Sequence, residues 1–175
     1  GIDINKMNMG GRNTVKPSSK TWDNHIPDTL YFEELFRVSK NQIIWGGNYF
    51  TEYLPPSKNW VVWDKQNPNL SFAEGELAWV RDGKLLRIFQ HYSAQVEEGG
   101  KIHPTQKPVK LYEWLLRNYA KPTDKILDTH FGSCSIGIAC HNFGCSLDAC
   151  ELDEEYFDKA LERVKLHVRQ LDLFR

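Results

Sequence analysis

Strand and helix patterns alternate along the chain after residue 108. Residues 125–127 form a short apolar strand ending in Asp128, a helical stretch follows at residues 136–141, and residues 146–150 form the next strand. Strands that alternate with helices predict parallel strands joined by crossover helices, because a tight turn cannot return the chain to a parallel neighbour. The predicted fold class is therefore α/β, with a mostly parallel sheet and helices on both of its faces.

Capping residues and apolar spacing predict where the helices of this half lie. Pro108 stands where a first helical residue is expected, and Asp153 is expected to cap a final helix. The apolar face predicted for that final helix consists of Phe157, Ala160, Leu161, Val164 and Val168.

The first half of the chain predicts one helix and several strands. Asp28 is expected to cap a helix with the apolar face Leu30, Phe32, Leu35, Phe36 and Val38. Strands are predicted at residues 42–45, 59–63, 76–80 and 85–89. The last two are separated by Asp82-Gly83, a sequence typical of a hairpin turn, so we expect them to pair with each other.

Length and charge exclude several classes of protein. The 175 residues carry 41% hydrophobic and 26% charged side chains, which excludes disordered, collagen-like and disulfide-stapled chains. No uncharged apolar run approaches the ~18 residues that a membrane span needs, so we expect one cytoplasmic domain without membrane contact. Because the net charge is −1, nucleic-acid binding requires a local basic patch.

The cysteines cluster between residues 134 and 150. A structural zinc site usually takes its ligands from closely spaced C-x2-4-C pairs, and the closest pairs here are five residues apart. We therefore favour free thiols in a reducing compartment over a metal site.

Two acids stand at the carboxyl ends of the predicted strands, where open α/β sheets bind their ligands. Asp128 ends one strand and Glu151 follows the next, 19 residues after Gly132, close to the spacing at which an acid meets a ribose in nucleotide sites. The helix that follows Gly132 offers its N-terminus to a carboxylate. The alternative is that this glycine and these acids only turn the chain.

The type of nucleotide follows by elimination. After Gly132 the next glycine is Gly137, so the G-x-G-x-x-G fingerprint of dinucleotide sites is absent, and so is the Gly-Lys-Ser/Thr of a P-loop. A nucleoside without phosphates that carries an amino-acid tail, S-adenosylmethionine, fits better.

Three segments together resemble a known family. They are His103-Pro104-Thr105-Gln106-Lys107-Pro108, the stretch from Asp128 to Ser135, and Glu151-Leu152-Asp153-Glu154-Glu155-Tyr156, which begins a helix with Ala160 and Arg163. Their order is similar to that of the amino-directed DNA methyltransferases, which modify adenine N6 or cytosine N4. The resemblance is good over residues 101–168 and diffuse before them, and it implies a Rossmann-like methyltransferase sheet.

The resemblance also implies roles for individual residues. Asp128, Gly132 and Ser133 would contact the methionine portion of the cofactor, and Glu151 would contact the ribose hydroxyls. The cofactor-binding residues implied in addition are His103, Thr105, Gln106, Lys107, Phe131 and Leu152. The sequence departs from the family pattern at Thr129, His130 and Cys134, where Pro, Phe and Gly are expected.

The chain does not contain the tetrapeptide with which this family holds the target base. The Pro-Pro pair in Leu54-Pro55-Pro56-Ser57 has the wrong neighbours, because leucine cannot accept a hydrogen bond from an amino group and serine cannot stack on a base. We interpret it as a loop breaker and expect that the chain starts just after the catalytic tetrapeptide. On this view no catalytic residue lies within it, and the chain alone would not turn over.

Partners are predicted at both ends. Lys6, Arg12, Lys16 and Lys20 lie in a polar segment, residues 1–24, that suits contact with DNA phosphates, although a solvated loop is an equal alternative. Residues 170–174 resemble the pentapeptide that docks bacterial proteins on the sliding clamp, with Gln170, Leu171, Leu173 and Phe174 as the binding side chains. The alternative is a terminal turn that folds onto the domain.

The most consistent function is that of a bacterial or phage DNA methyltransferase that uses S-adenosylmethionine to methylate adenine N6. Methylation of cytosine N4 or of RNA is the alternative within the same class. An inactive cofactor- or DNA-binding remnant, or an adaptor on the sliding clamp, is the alternative from another class.

Overall fold

The computed structural model describes residues 26–68, 73–92 and 100–172, with the backbone alone for residues 171 and 172. The chain divides into two compact units, Gly1–Ser93 and Ala94–Arg175. Over the described ranges, no helix has both the length and the apolar character that crossing a membrane requires.

The first unit begins with helix α1, Thr29–Val38. Its predicted cap is confirmed, since the Asp28 carboxylate accepts a hydrogen bond from the Tyr31 backbone N–H at 3.0 Å. The helix buries Phe32 against Leu54 and Trp79, and the Phe32 ring stacks on Tyr53 with 4.9 Å between centroids. Leu30 and Val38 of the predicted apolar face are exposed, so the buried face is narrower than expected.

The sheet of the first unit mixes antiparallel and parallel pairing. Its strands, in spatial order, are β1 (Ile43–Trp45), β3 (Gly75–Val80), β2 (Trp60–Asp64) and β4 (Arg87–Gln90). Strand β3 runs antiparallel to both β1 and β2, whereas β2 and β4 are parallel. The α/β class is confirmed, but a mostly parallel sheet is not what this unit contains.

The predicted hairpin of β3 and β4 is wrong, because β2 lies between these two strands. The Asp82-Gly83 turn is instead hydrogen-bonded to Asn41. The Asn41 side-chain amide donates to the carbonyl of Asp82 at 2.9 Å and accepts the Asp82 N–H at 3.0 Å. In the observed pairing, the buried Ala78 of β3 lies opposite the buried Val61 of β2. The turn sequence therefore does not decide which strand pairs with β3.

The Pro-Pro segment forms a packed corner. Leu54 is buried, and the carbonyl of Pro55 accepts a hydrogen bond from the Trp79 indole at 3.0 Å. The Ser57 hydroxyl donates to the carbonyl of Val80 at 2.8 Å. These contacts give the segment a structural role between the 3-10 turn Gly47–Tyr49 and β2.

The second unit alternates helix and strand as the sequence predicts. Its elements are α2 (Val109–Tyr119), β5 (Lys125–Asp128), α3 (Ser135–Phe143), β6 (Ser146–Ala149) and α4 (Glu154–Asp172). Strands β5 and β6 are parallel, with Asp128 opposite Ala149. Pro108 is the N-cap of α2, one position before its predicted place. Leu116 of α2 packs on α3 residues Ile136, Ala139 and Cys140.

Helix α4 starts as predicted, but its buried face overlaps the predicted one only at Ala160. The Asp153 carboxylate caps the helix by accepting the Tyr156 N–H at 3.1 Å. The buried residues are Tyr156, Ala160 and Arg163, whereas Phe157 and Leu161 of the predicted face are 40% and 38% exposed. Tyr156 is buried because its ring packs on His103, and Arg163 is buried because its guanidinium finds hydrogen-bond acceptors inside the unit.

The four cysteines, all within the described ranges, are free thiols. Burial raises the pKa of Cys134 to about 12 and also raises that of Cys140, so both are held as neutral thiols. The described residues contain no group of three or more His, Cys, Asp or Glu side chains placed to hold a metal ion.

Gly47 permits a close approach of two backbone segments in the first unit. A Cβ at this position would lie 2.5 Å from the Cβ of Trp79 and 3.1 Å from its backbone N. We expect Gly47→Ala to lower the free energy of unfolding by about 1–3 kcal/mol, because overpacking forces the backbone apart. Urea unfolding measures this, with Asn48→Ala at the exposed neighbouring position as control. Equal stability of the two variants would contradict the close approach.

Candidate functional site

The carboxyl ends of β5 and β6 lead into two segments that stay side by side. The Cys150 N–H donates to the carbonyl of Asp128 at 2.9 Å, and the Phe131 N–H donates to the carbonyl of Cys150 at 3.0 Å. The turn after β5 and the chain after β6 thus share backbone hydrogen bonds beyond the sheet. This places the Asp128–Ser135 segment beside Glu151, as the sequence predicts.

The Glu151 carboxylate joins the two segments directly. Its Oε2 accepts the Gly132 N–H at 2.8 Å and its Oε1 accepts the Asp153 N–H at 3.0 Å. Each carboxylate oxygen has a second lone pair, so the group can still accept hydrogen bonds from a ligand. The 19-residue spacing between Gly132 and Glu151 corresponds to a direct contact.

Gly132 lies against the face of the His103 imidazole. The glycine has φ +52°, in the left-handed region, and a Cβ built on it would lie 3.8 Å from Cγ, Cδ2 and Cε1 of His103. The ring of Tyr156 in α4 also packs on this imidazole, with ring centroids 4.4 Å apart. His103, in the first segment of the family pattern, therefore contacts the second segment at Gly132 and the third at Tyr156.

His103 is held neutral. The side chain is 7% exposed, and burial lowers its pKa to about 4. Its Nδ1 accepts the Thr105 N–H at 3.3 Å and lies 3.1 Å from the Thr105 hydroxyl, so the imidazole proton resides on Nε2.

The other predicted cofactor-binding residues of the His103–Pro108 segment differ in burial and in hydrogen bonding. The Gln106 amide accepts the Ile102 N–H at 3.0 Å and donates to the carbonyl of Gly100 at 3.2 Å, so it holds its own loop. Thr105 is exposed and Lys107 is half-buried.

Cys134 occupies the position where the family pattern has glycine. It is the N-cap of α3 and adopts φ +58°, the left-handed conformation that glycine adopts most easily. Its sulfur fits because residue 137 is a glycine: a Cβ there would overlap the Cys134 Sγ. Cys134 can therefore take the left-handed conformation in this turn without a clash of its side chain.

The structure places three further predicted cofactor-binding residues, Asp128, Phe131 and Leu152, in different surroundings. Burial raises the pKa of Asp128, whose Oδ1 accepts the His130 N–H at 3.0 Å. Phe131 packs on the core cluster of α2 and α3, so its ring has a structural role. Leu152 is 99% exposed directly beside Glu151.

Sequence reasoning missed the structural importance of Arg163. This residue of α4 is 8% exposed, and its Nη1 donates to the carbonyl of Ser133 at 2.8 Å and to the Ser135 hydroxyl at 3.0 Å. The available signal was its helical spacing from Tyr156 and Ala160, which places all three on one face.

Most of the residues predicted to contact DNA or the sliding clamp are not among those that the structure describes. Lys6, Arg12, Lys16, Lys20, Leu173 and Phe174 fall outside the described residues, as does the side chain of Leu171. Gln170 lies at the exposed end of α4. Contact with DNA phosphates and with a sliding clamp at these positions stays a prediction.

A depression of about 300 Å³ runs along α4. Its lining side chains all belong to α4: Asp158, Leu161, Glu162, Lys165, Leu166 and Arg169. None of the buried polar residues His103, Ser133, Ser135 and Arg163, which lie in or beside the turn after β5, lines this depression.

Comparisons with known proteins point the same way. Residues 17–162 match the family model N6_N4_Mtase, described as DNA methylase. The type II methyltransferase M.HinfI of Haemophilus influenzae is 35% identical over 69 residues, covering 39% of this chain and 19% of the relative. M.HpaI of Haemophilus parainfluenzae is 34% identical over 64 residues, covering 37% and 20%. The chain thus spans about a fifth of the length of these relatives.

A solved structure shares the fold. The crystal structure of the M1.HpyAVI–SAM complex superposes with a TM-score of 0.62 at 20% identity, covering 78% of this chain and 81% of that one. At this identity the likeness shows the α/β fold and not the activity.

The buried His103 makes stability depend on pH. The unfolded chain binds a proton at this imidazole as the pH falls through 6.5, whereas the folded protein does so at about 4. Between these values the unfolded state binds more protons, so the free energy of unfolding falls as the pH is lowered. The loss is at most about 3.5 kcal/mol, at ~1.4 kcal/mol per pH unit between the two pKa values.

Urea unfolding of the wild type and of His103→Phe at pH 7 and pH 5 measures this effect. The wild type should lose more stability than the variant, and His141→Phe, which changes an exposed histidine of α3, should behave as the wild type. Asp128, whose raised pKa acts in the opposite direction, is common to all three proteins. A His103→Phe variant as pH-sensitive as the wild type would disprove the assignment.

Proposed function

Because the chain belongs to the DNA methylase family whose model matches residues 17–162, we propose that it binds S-adenosylmethionine and serves methylation of an exocyclic amino nitrogen in DNA, at adenine N6. The match confirms the amino-methyltransferase family that the sequence segments predict. This methyltransferase family uses S-adenosylmethionine.

The observation that carries the proposal is the bridge made by Glu151. Its two oxygens hold the Gly132 N–H and the Asp153 N–H at the ends of adjacent parallel strands. Parallel α/β sheets bind ligands at this edge, and an acid after the second strand is placed to receive ribose hydroxyls. In this role Glu151 orders the turn and contacts the ligand with one carboxylate.

The residues present fit the cofactor. Burial disfavours the charge on Asp128, so a cationic amino group of a ligand would be favoured beside it. The N-terminal turn of α3 provides backbone N–H groups for a carboxylate, and the exposed Leu152 offers an apolar surface to an adenine ring. When bound, the cofactor supplies an electrophilic methyl group on its sulfonium.

The residue at position 134 supports this function over a nicotinamide oxidoreductase. In the G-x-G-x-x-G fingerprint of dinucleotide sites, the second glycine lets the backbone approach the pyrophosphate, and the third allows close packing of helix and strand. Gly132 and Gly137 stand at the first and third of these positions, whereas Cys134 stands at the second. The glycine that would admit a pyrophosphate is therefore replaced by a cysteine, whose sulfur packs beside Gly137.

Isothermal titration with S-adenosylhomocysteine tests the cofactor site. Glu151→Gln should weaken binding at least about tenfold, or ~1.4 kcal/mol, because an amide presents its own N–H₂ to one of the two backbone donors. The matched control is Asp148→Asn on β6, whose carboxylate is largely exposed and pairs with Lys125. Absence of binding by the wild type would refute the cofactor assignment, and equal affinity of both variants would refute the role of Glu151.

Analysis of the methylated nucleoside tests the reaction. The complete gene product is incubated with DNA and methyl-labelled cofactor, and the DNA is digested to nucleosides. We expect N6-methyldeoxyadenosine. Label in N4-methyldeoxycytidine would show that the target is cytosine N4 and not adenine N6. Label that appears only when RNA is supplied in place of DNA would show that RNA is the substrate. Cofactor binding without any transfer would support an inactive remnant or an adaptor.

A further inference from the structure

The buried face of α4 carries a charge where an apolar residue would be expected. Tyr156, Ala160 and Arg163 recur at helical spacing, and the arginine is 8% exposed. Burying a guanidinium is unfavourable unless its N–H groups find acceptors. Its contacts therefore indicate what this position does.

The guanidinium holds both sides of the left-handed residue in the turn. Arg163 Nη1 donates to the carbonyl of Ser133 at 2.8 Å and to the hydroxyl of Ser135 at 3.0 Å, and Cys134 lies between them with φ +58°. The two serine hydroxyls are 3.2 Å apart. One nitrogen thus fixes the residues that flank a backbone conformation which side chains rarely adopt.

The turn held in this way is the start of α3. The Cys134 N–H donates to the carbonyl of Phe131 at 2.9 Å, and the carbonyl of Cys134 accepts the Gly137 N–H at 3.0 Å. The N–H groups of Ser135 and Ile136 belong to the first helical turn, where backbone donors lack acceptors in the helix. Their direction depends on the conformation that Arg163 stabilises.

We propose that Arg163 is a positioning residue for the amino-acid end of the cofactor: it holds the Ser133–Ser135 turn so that the first N–H groups of α3 face the ligand carboxylate. This inference rests on the proposed cofactor function. The guanidinium acts through the turn, and its positive charge adds to that of the helix N-terminus. Glu151 would hold the adenosine end of the cofactor, so binding of that end should depend on Arg163 much less.

The test compares two ligands that differ in the amino-acid end. S-adenosylhomocysteine carries the amino-acid tail, whereas 5′-methylthioadenosine does not. We expect Arg163→Met to weaken S-adenosylhomocysteine binding at least tenfold and 5′-methylthioadenosine binding less than twofold. Arg163→Lys, which keeps the charge and N–H donors, should recover most of the affinity. Arg169→Met, the same change at an exposed position of α4, is the matched control and should leave both affinities unchanged.

A second measurement needs no ligand. Amide hydrogen exchange of Cys134 and Gly137 in the full 175-residue chain should be at least tenfold faster in Arg163→Met than in Arg169→Met. If Arg163→Met fails to fold, Ser135→Ala removes one acceptor and should speed exchange at the same amides. Equal weakening of both ligands, or unchanged exchange, would overturn the positioning role. A wild type that binds neither ligand would refute the proposed cofactor function, whereas the exchange rates would still report on Arg163.

Discussion

The bridge made by the Glu151 carboxylate is the interaction on which the geometry of the second unit depends. It accepts one backbone N–H from the turn after β5 and one from the start of α4. Turns and helix starts expose donors that their own element cannot satisfy, and a carboxylate can satisfy two of them at once. The segments that follow β5 and β6, which lie beyond the strands of the sheet, are thereby fixed. The same oxygens can still accept hydrogen bonds from a ligand.

Several buried polar groups surround this bridge, and each is compatible with burial for a separate reason. His103 is neutral and its Nδ1 accepts the Thr105 N–H, whereas Arg163 keeps its charge and donates to Ser133 and Ser135. Burial of a polar group without a hydrogen-bond partner costs free energy, whereas a buried group with partners favours one arrangement of the surrounding side chains. The site is therefore ordered before any ligand arrives, which reduces the conformational entropy lost on binding.

The sequence predicts those parts of the fold that depend on local signals. The Asp28 and Asp153 caps and the order of β5, α3 and β6 follow from short-range patterns. Pairing in the first unit is long-range, and β2 lies between two strands that a turn sequence assigned to one hairpin. Of the buried residues of α4, Ala160 was predicted and Arg163 was missed, because hydrophobicity favours Phe157 over Arg163 and only the structure shows the acceptors that make an arginine suitable there.

The conformation at position 134 matters more to this turn than the identity of the residue there. The turn needs a left-handed residue before α3, and glycine meets that need at the lowest conformational cost. Cysteine meets it here because Gly137 leaves room for the sulfur, and because Arg163 holds the residues on either side. With cysteine at position 134, the turn still places the Gly132 N–H so that it donates to the Glu151 carboxylate. A change elsewhere that moved Cys134 out of the left-handed conformation would therefore disturb this site more than the presence of cysteine does.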